Sequence, residues 1–138
     1  MEIKELSNSL QKLRCIQQKL TKEFELSTGF SLTRYEILSF LDEKEKCLQN
    51  EIADHLEIDP AAITRQLKIL EEDGFVTRDR NKDNAREVIV SLTDYAKREL
   101  KICKDKHKNQ KTDVAISIDN KDMDQLIKIL SHIEECFQ

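Results

Sequence analysis

Apolar residues recur at helical spacing through the first forty residues of the chain. Between residues 2 and 26 the spacings are three and four, which predicts one long helix with a single apolar stripe. A second helix follows, and Thr33 with Glu36 is expected to form a capping box at its start. Residues 42–46 are polar and are expected to connect this helix to the next one. The first stripe comprises Ile3, Leu6, Leu10, Leu13, Ile16, Leu20 and Phe24, and the second comprises Ile37, Leu38 and Leu41.

The segment between residues 48 and 74 has the pattern of two helices separated by a tight turn. Asp59 is expected to cap the second helix, because its side-chain oxygen can accept a hydrogen bond from a first-turn amide. Pro60 suits the next position, where no amide hydrogen is needed, and Gly74 is suited to end the helix in the left-handed conformation. The apolar positions are Leu48, Ile52, Ala53 and Leu56 in the first helix and Ile63, Leu67 and Leu70 in the second. The pattern therefore predicts a helix-turn-helix.

Two short β-rich runs follow at residues 75–78 and 88–92, on either side of a charged segment at residues 79–86. Such runs predict an antiparallel hairpin, and the absence of a glycine-containing turn leaves its register open. A hairpin directly after a helix-turn-helix forms a wing. We therefore expect a fold that is mainly α with a small β-hairpin wing (α+β), in one domain over residues 1–138. The winged helix-turn-helix should occupy about residues 32–92.

Two further helices are expected after the wing. Thr93 is a suitable cap for the first, which should run to about Lys108. Residues 109–118 lack strong periodicity and are expected to be loop or frayed helix. The last helix should begin at Asp119 or Asn120. Its apolar stripe comprises Met123, Leu126, Ile127, Leu130, Ile133 and Phe137.

The stripes at the two ends of the chain, at about residues 2–26 and 119–137, are more apolar than a small winged helix should be able to cover. We expect these two helices to be dimerisation helices that pair with a second copy of the chain. The alternative is that both stripes belong to the core of a single subunit. The sequence pattern does not separate these two arrangements.

The open face of the second helix of the helix-turn-helix suggests a binding surface for double-stranded DNA. Small side chains allow a helix to approach a groove, Thr and Arg can contact base edges, and Lys can contact phosphates. Taken singly, this face and the charged wing tip also fit ordinary solvated surface, and the whole motif also fits a protein-docking module. The candidate DNA-binding residues are Pro60, Ala61, Ala62, Thr64, Arg65 and Lys68 on the helix and Arg80, Lys82 and Arg86 on the wing, where Arg78, Asp79 and Asp83 complete the charged tip.

Composition narrows the function classes. Two glycines, one proline and 36% charged residues in a chain of 138 indicate a mostly helical protein. The net charge of −4 means that affinity for nucleic acid must come from a local patch. Without a long apolar run or an apolar amino-terminal segment, the protein is expected to be cytoplasmic and free of membrane contact. The two glycines of the chain are at positions 29 and 74, which are too far apart to form a glycine-rich phosphate loop. We therefore expect neither an enzyme nor a cofactor.

The same segments resemble the MarR family of bacterial transcription regulators. The matching stretches are LTRYEIL (32–38), NEIADHL (50–56), AAITR (61–65), LEEDGFV (70–76) and VIVSLT (88–93). The resemblance implies a homodimer, paired through its first and last helices, that binds palindromic operators and usually represses. Release by a small ligand or by oxidation is also implied. Family members usually have Asp two residues before the arginine that corresponds to Arg86, where this chain has Asn84.

The four cysteines are spread along the chain, so structural disulfides are not expected. Cys103 with His107 and His132 with Cys136 lie four residues apart, and each pair offers two metal ligands where a closed site needs three or four. We therefore expect no metal site, and we expect Cys103 to be a small buried residue. Redox-sensing branches of the family use a cysteine near the amino-terminal helix, but Cys15 lies closer to the Leu32-Thr33 motif than that cysteine does, so the role is not transferred from the resemblance. A thiol-based oxidant sensor is kept as an alternative.

A small-molecule inducer is a further expectation of the resemblance. Family members bind small, often aromatic ligands between the dimerisation helices and the winged helix. Phe24, Phe30, Tyr35 and Phe40 are clustered in the corresponding part of this sequence. Filling the core is the alternative role for these side chains.

Overall fold

The chain folds into six helices and three short strands in a computed structural model that describes residues 1–108 and 119–138. This composition confirms the expected class, mainly α with a small β wing. The predicted loop or frayed helix at residues 109–118 lies outside the described residues. The elements are α1 (Ile3–Thr28), α2 (Leu32–Lys44), β1 (Lys46–Leu48), α3 (Gln49–Leu56), α4 (Pro60–Glu72), β2 (Val76–Arg80), β3 (Val88–Leu92), α5 (Asp94–Lys108) and α6 (Asn120–Glu135).

Helix α4 begins and ends where the sequence predicts. The Ala62 amide donates to Asp59 Oδ2 at 3.2 Å, and Pro60 occupies the first position of the helix. Gly74 follows the helix with φ of 80°, a left-handed conformation that glycine adopts without strain. The start and direction of this helix are therefore fixed by local chemistry.

Helix α2 begins earlier than predicted, and the capping box of Thr33 with Glu36 is wrong. Ser31 is the N-cap, and its hydroxyl oxygen accepts a hydrogen bond from the Arg34 amide at 3.3 Å. Both Ser and Thr are good caps, but the extended backbone of Ser31 selects it, and the helix then begins at Leu32. Thr33 consequently lies within the first turn.

The sheet has three strands, in the order β1-β3-β2, instead of the two predicted for a hairpin. The predicted polar connector at residues 42–46 is shorter than expected. Helix α2 runs to Lys44, the chain turns at Glu45 with φ of 65°, and β1 follows at once. In this antiparallel pairing Cys47 lies opposite Val90 of the central strand. The sheet therefore joins the base of the wing to the start of α3.

The core lies between α2, the helix-turn-helix, the sheet and the inner face of α5. The predicted apolar residues of α2 and α4 are buried, as are Ile52 and Ala53 of α3, whereas Leu56 is half-buried and Leu48 is half-buried in β1. The expected burial of Cys103 is confirmed. The Thr93 hydroxyl caps α5 as predicted, accepting from the Ala96 amide at 3.1 Å. The largest fully buried side chains are Ile37, Leu38, Leu41, Ile52, Ile63, Leu67, Leu70, Leu100, Val76 and Val90.

The two terminal helices have a different environment. Neither α1 nor α6 contains a buried residue, although each has the apolar stripe that the sequence predicts. Asp119 caps α6 as expected, with its Oδ1 accepting from the Asp122 amide at 2.8 Å. None of the helices in the described ranges combines the length and apolar character needed to cross a bilayer.

Candidate nucleic-acid interface

The outer face of α4 is a row of small and cationic side chains. Ala61, Thr64, Arg65 and Lys68 are all exposed, and their spacing of three and four places them on one side of the helix. Pro60 is exposed at the first position, whereas Ala62 is half-buried at the edge of the row. The opposite side of α4 is fixed by the buried apolar residues of the core. The row is therefore held in place and open to another molecule.

A pair of hydrogen bonds engages the Thr64 hydroxyl. It donates to the Pro60 carbonyl oxygen at 2.9 Å and accepts from Gln49 Nε2 at 2.7 Å. Gln49 is the first residue of α3, so the second bond joins the two helices of the helix-turn-helix. Gln49 is absent from the predicted interface. Its position at the start of α3, the helix that precedes α4, is visible in the sequence and could have suggested it as a polar residue of this surface.

Two further polar contacts hold α4 against its neighbours. Arg34 Nε donates to Gln66 Oε1 at 3.2 Å, which joins α2 to the middle of α4. At the end of α4, the Arg78 guanidinium donates to Glu71 Oε1 at 3.1 Å, and this bond holds the pKa of the Glu71 carboxyl below its ordinary value of 4.5. Arg78 is half-buried in this ion pair at the base of the wing. The inclusion of Arg78 in the charged wing tip is therefore wrong, because its charge is neutralised by Glu71.

Two asparagines build the turn of the wing. Asn81 Oδ1 accepts from the Asp83 amide at 3.0 Å, and Asn84 Oδ1 accepts from the Arg86 amide at 3.1 Å. The Asn81 side chain also donates to Glu87 Oε2 at 2.9 Å. Asparagine side chains stabilise turns in this way without glycine, which explains how the wing closes although its sequence has no glycine-containing turn. The register is then defined, with Arg80 opposite Val88.

The three cationic side chains predicted for the wing differ in whether they are hydrogen-bonded within the protein. Arg80 Nη1 donates to the Ala85 carbonyl oxygen at 2.8 Å, so its guanidinium braces the turn. Lys82 and Arg86 are exposed. Within the described residues, no ion pair joins Arg86 to Asp83, the carboxylate that directly precedes Asn84 in the sequence. Instead, Asn84 orders the backbone from which the Arg86 side chain extends.

A cleft of about 170 Å³ separates the wing from the helix-turn-helix. Gln49 and Asn50 line it from the start of α3, Pro60 from the start of α4, and Arg86 from the wing. The structure therefore brings Arg86 beside the row on α4, whereas Lys82 remains at the outer turn of the hairpin. The cleft therefore brings an exposed cation of the wing next to the start of α4.

The other candidate residues lie away from this surface. Burial raises the pKa of the Cys47 thiol to about 11 and also raises the pKa of the Cys103 thiol, while Cys15 and Cys136 are exposed. In residues 1–108 and 119–138, no group of three or more His, Cys, Asp or Glu side chains is arranged to bind a metal ion. The predicted Cys and His pairs are therefore not completed there by a third ligand.

The aromatic cluster predicted near the first two helices divides into two parts. Phe24 and Tyr35 pack edge to face, with ring centroids 5.3 Å apart, and line a second cleft of about 170 Å³ with Cys103 and His107. Phe40 instead stacks on His55 at 4.3 Å, away from this cleft. Phe30 packs between Tyr35 and Phe75 as part of the core margin.

Comparisons with known proteins agree with this architecture. The MarR family profile matches residues 30–88. The uncharacterized HTH-type transcriptional regulator YdgJ of Bacillus subtilis is 28% identical over 124 residues, which cover 90% of this chain and 76% of that protein. The transcriptional repressor CouR, bound to a 23-mer DNA duplex, is similar with a TM-score of 0.81 and 25% identity, over 97% of this chain and 98% of CouR.

A mutant of MarR from E. coli, complexed with operator DNA, has the same fold with a TM-score of 0.79 and 18% identity, over 96% of this chain and 99% of that one. The family profile covers the helix-turn-helix and the wing as far as the first residue of β3, and the structural similarity extends over both terminal helices. In sequence and in fold, the chain is therefore similar to the DNA-binding transcriptional regulators of the MarR family.

Proposed function

We propose that the chain represses transcription as a homodimer that binds a pseudo-palindromic operator, with α4 in the major groove and the wing against the adjacent backbone or minor groove. One observation carries this proposal: the exposed row of Ala61, Thr64, Arg65 and Lys68 on a helix whose other side is locked into the core. Small side chains in this row permit close approach, and Arg65 is a suitable base contact. We propose repression and not activation because the chain is similar to CouR, which is a repressor.

The roles of the cations follow from their positions. Arg65 lies in the first half of α4 and is proposed to contact base edges, whereas Lys68, Lys82 and Arg86 are proposed to contact phosphates or the minor groove. Arg80 is proposed to act mainly by bracing the turn through Ala85. Contacts of this kind need no cofactor and no catalytic group, and we propose that the protein is not an enzyme and acts in the cytoplasm, where bacterial DNA lies.

The dimer is proposed to form through α1 and α6, with residues 1–138 as one domain per subunit. Leu10 on α1 is 56% exposed and Leu130 on α6 is 51% exposed, each within a stripe of similar residues. Exposed stripes of this length mark interaction surfaces in soluble proteins. A two-fold axis between two copies would place the two α4 helices in successive major grooves, about 34 Å apart.

Selection of bound sequences from a random duplex pool tests this function directly. The expected product is an inverted repeat whose half-sites are about one helical turn apart, since two symmetric helices contact it. A winged helix used for protein docking would enrich no motif, and recovery of unrelated sequences at low salt only would contradict the proposal. Binding should be measured at two salt concentrations, because phosphate contacts alone give strong salt dependence without specificity.

The cleft lined by Phe24, Tyr35, Cys103 and His107 is the proposed inducer site. It lies between α1, α2 and α5, where a ligand can alter how the winged helix sits relative to the dimerisation helices. The ligand must bind the two states with different affinity to release DNA. The alternative inducer is an oxidant that acts through the exposed Cys15.

One variant separates the two inducers. Cys15→Ser should leave release by a small ligand intact and abolish release by peroxide if Cys15 is the sensor. Release by peroxide that is unchanged in Cys15→Ser would eliminate Cys15. Ser27 also lines the cleft, so loss of the ligand response in Ser27→Trp, which should fill the cleft, would support the cleft as the inducer site.

A further inference from the structure

Thr64 lies at the centre of the exposed row on α4, yet its hydroxyl group is already hydrogen-bonded within the protein. The hydroxyl donates to the Pro60 carbonyl and accepts from Gln49 Nε2, at 2.9 and 2.7 Å. A hydroxyl group has one hydrogen and two lone pairs. These two bonds therefore use its only donor and one of its two acceptor sites.

The same bonds fix the orientation of the side chain. The partners lie in different directions, one on the preceding turn of α4 and the other on α3, so rotation about χ1 would break both bonds. Exchange of the nitrogen and oxygen of the Gln49 amide would still give the hydroxyl hydrogen an acceptor within the protein. The hydroxyl hydrogen is therefore not available to another molecule and one lone pair of Oγ1 remains, so the methyl group Cγ2 is the apolar part of this exposed side chain that can contact another molecule.

A fixed methyl group on a major-groove helix matches one feature of DNA. Thymine carries a 5-methyl group in the major groove, and apolar contact with Ala or Thr is a known means of recognising it. Ala61 presents a second methyl group one turn earlier on the same face, and Arg65 follows Thr64 directly. The row thus combines apolar contact with Arg65, a cation suited to guanine.

We propose that Thr64 recognises a thymine methyl group through Cγ2, and that Gln49 is the positioning residue that keeps the Thr64 hydroxyl away from the bases. Each half-site then contains a thymine whose methyl group is required, near the base that Arg65 contacts. This inference rests on the proposed function and specifies the chemistry by which the same surface distinguishes operators.

Deoxyuridine substitution tests the inference, because deoxyuridine differs from thymidine only in lacking the 5-methyl group. Each thymine of the selected operator should be replaced in turn, symmetrically in both half-sites. At one position the affinity is expected to fall about fourfold for one half-site and about fifteenfold for both, as for loss of one buried methyl group per subunit. Equal affinity for thymine and uracil at every position would overturn the inference.

Two variants of Thr64 separate its methyl group from its hydroxyl group. Thr64→Val retains a methyl group and should keep the preference for thymine over uracil. Thr64→Ser retains the hydroxyl group and should lose that preference. A Thr64→Ser protein that still prefers thymine by the full factor would show that another group makes the contact.

Gln49→Ala tests the positioning role. Once the Thr64 hydroxyl is released, the preference for thymine over uracil should fall below about twofold, because that preference depends on one methyl contact per half-site. The preference for guanine, which is assigned to Arg65, should stay unchanged. Gln66→Ala is the matched control, since it removes another side-chain hydrogen bond between α4 and a neighbouring helix. An equal loss of thymine preference in Gln66→Ala would overturn a specific role for Gln49.

These outcomes differ from a failure of the proposed function. If no operator can be selected, the chain does not recognise DNA in the proposed way, and the inference fails with it. If an operator is selected and its thymine methyl groups make no difference, DNA binding stands and only the role of Thr64 is wrong.

Discussion

The winged helix and the terminal helices contrast sharply in how they bury apolar surface. In α4, Leu67 is completely buried, whereas Leu10 in α1 is 56% exposed. Both residues belong to regular amphipathic stripes of the kind that the sequence pattern predicts. The difference lies in the partner, since the stripe of α4 is covered by its own chain, whereas the stripe of α6 and the part of the α1 stripe from Ile3 to Ile16 are left exposed.

This contrast shows that one sequence pattern serves two purposes. A covered stripe stabilises the fold of the subunit, and its contribution does not depend on protein concentration. An open stripe gains the same free energy only when a second molecule binds, so its contribution follows mass action. The proposed DNA-binding surface is therefore held in place within each subunit, whereas the geometry of the proposed dimer would be set by the terminal helices.

The largest effect is expected from adding charge to the open stripe of α6. The double change Leu126→Lys and Leu130→Lys should give monomers at micromolar concentration. It should reduce operator affinity by about a hundredfold or more, because the second half-site then no longer binds as an intramolecular event. Light scattering and a binding titration measure the two effects.

Gln125→Lys with Ser131→Lys is the control, since these positions lie off the apolar stripe and add the same charge. This control should remain dimeric and bind DNA normally. A dimeric mass for the Leu126 and Leu130 variant would contradict the proposed interface.

The same truncation in the two regions should have different signatures. Leu67→Ala should lower the free energy of unfolding by ~2–5 kcal/mol at any protein concentration, because it leaves a cavity in a packed core. Leu10→Ala should instead make the melting temperature depend more strongly on concentration, since it weakens association. Thermal unfolding at two concentrations 100-fold apart checks both, and a concentration-independent loss in Leu10→Ala would assign that residue to the subunit core.

Within the proposed DNA-binding surface, base contacts and phosphate contacts should be separable. Arg65→Ala should cost ~1–3 kcal/mol on the selected operator and reduce discrimination among operator variants. Lys82→Ala should weaken all duplexes alike and reduce the salt dependence by about one unit of slope per phosphate contact per subunit. Salt titrations on matched and scrambled duplexes measure this, and an equal loss on both duplexes in Arg65→Ala would make Arg65 a phosphate contact.

The smallest effect concerns the ion pair between Glu71 and Arg78, and it should depend on pH. Because the pKa of Glu71 is lowered in the folded state, the stabilisation is present above the ordinary value of 4.5 and is lost as pH falls through the lowered pKa. Glu71→Gln should cost less than about 1 kcal/mol at pH 7, since the carboxylate is largely exposed. Urea unfolding from pH 7 to pH 3 should show the two proteins converging at the acidic end, and a constant difference would exclude the ion pair as its cause.

Local signals in the sequence predict much of the fold. Asp59, Pro60 and Gly74 determine the ends of α4 through chemistry within a few residues, and the caps at Thr93 and Asp119 act in the same way. Ser31 and Thr33 show the limit of this approach, because both side chains can cap a helix and only the backbone conformation distinguishes them.

Contacts between residues far apart in the chain could not be predicted from the sequence pattern. Strand β1 has three residues, and it exists because Cys47 pairs with Val90, far along the chain. The hydrogen bond between Gln49 and Thr64 likewise depends on how α3 packs on α4. The candidate face of α4 was therefore predictable from helical periodicity, whereas the hydrogen bond between the Thr64 hydroxyl and Gln49 was not.

The central position of β3 in the sheet has a consequence for operator spacing. Because β3 pairs on one side with β1, which leads into α3, and on the other with β2, which follows α4, the wing is not expected to pivot separately from the helices. Each subunit would then contact DNA as one rigid unit with a fixed angular phase. Inserting a single base pair at the dyad turns one half-site by about 35° relative to the other. A rigid unit cannot absorb that rotation locally, so the two half-sites are expected to tolerate changes of base more readily than changes of spacing.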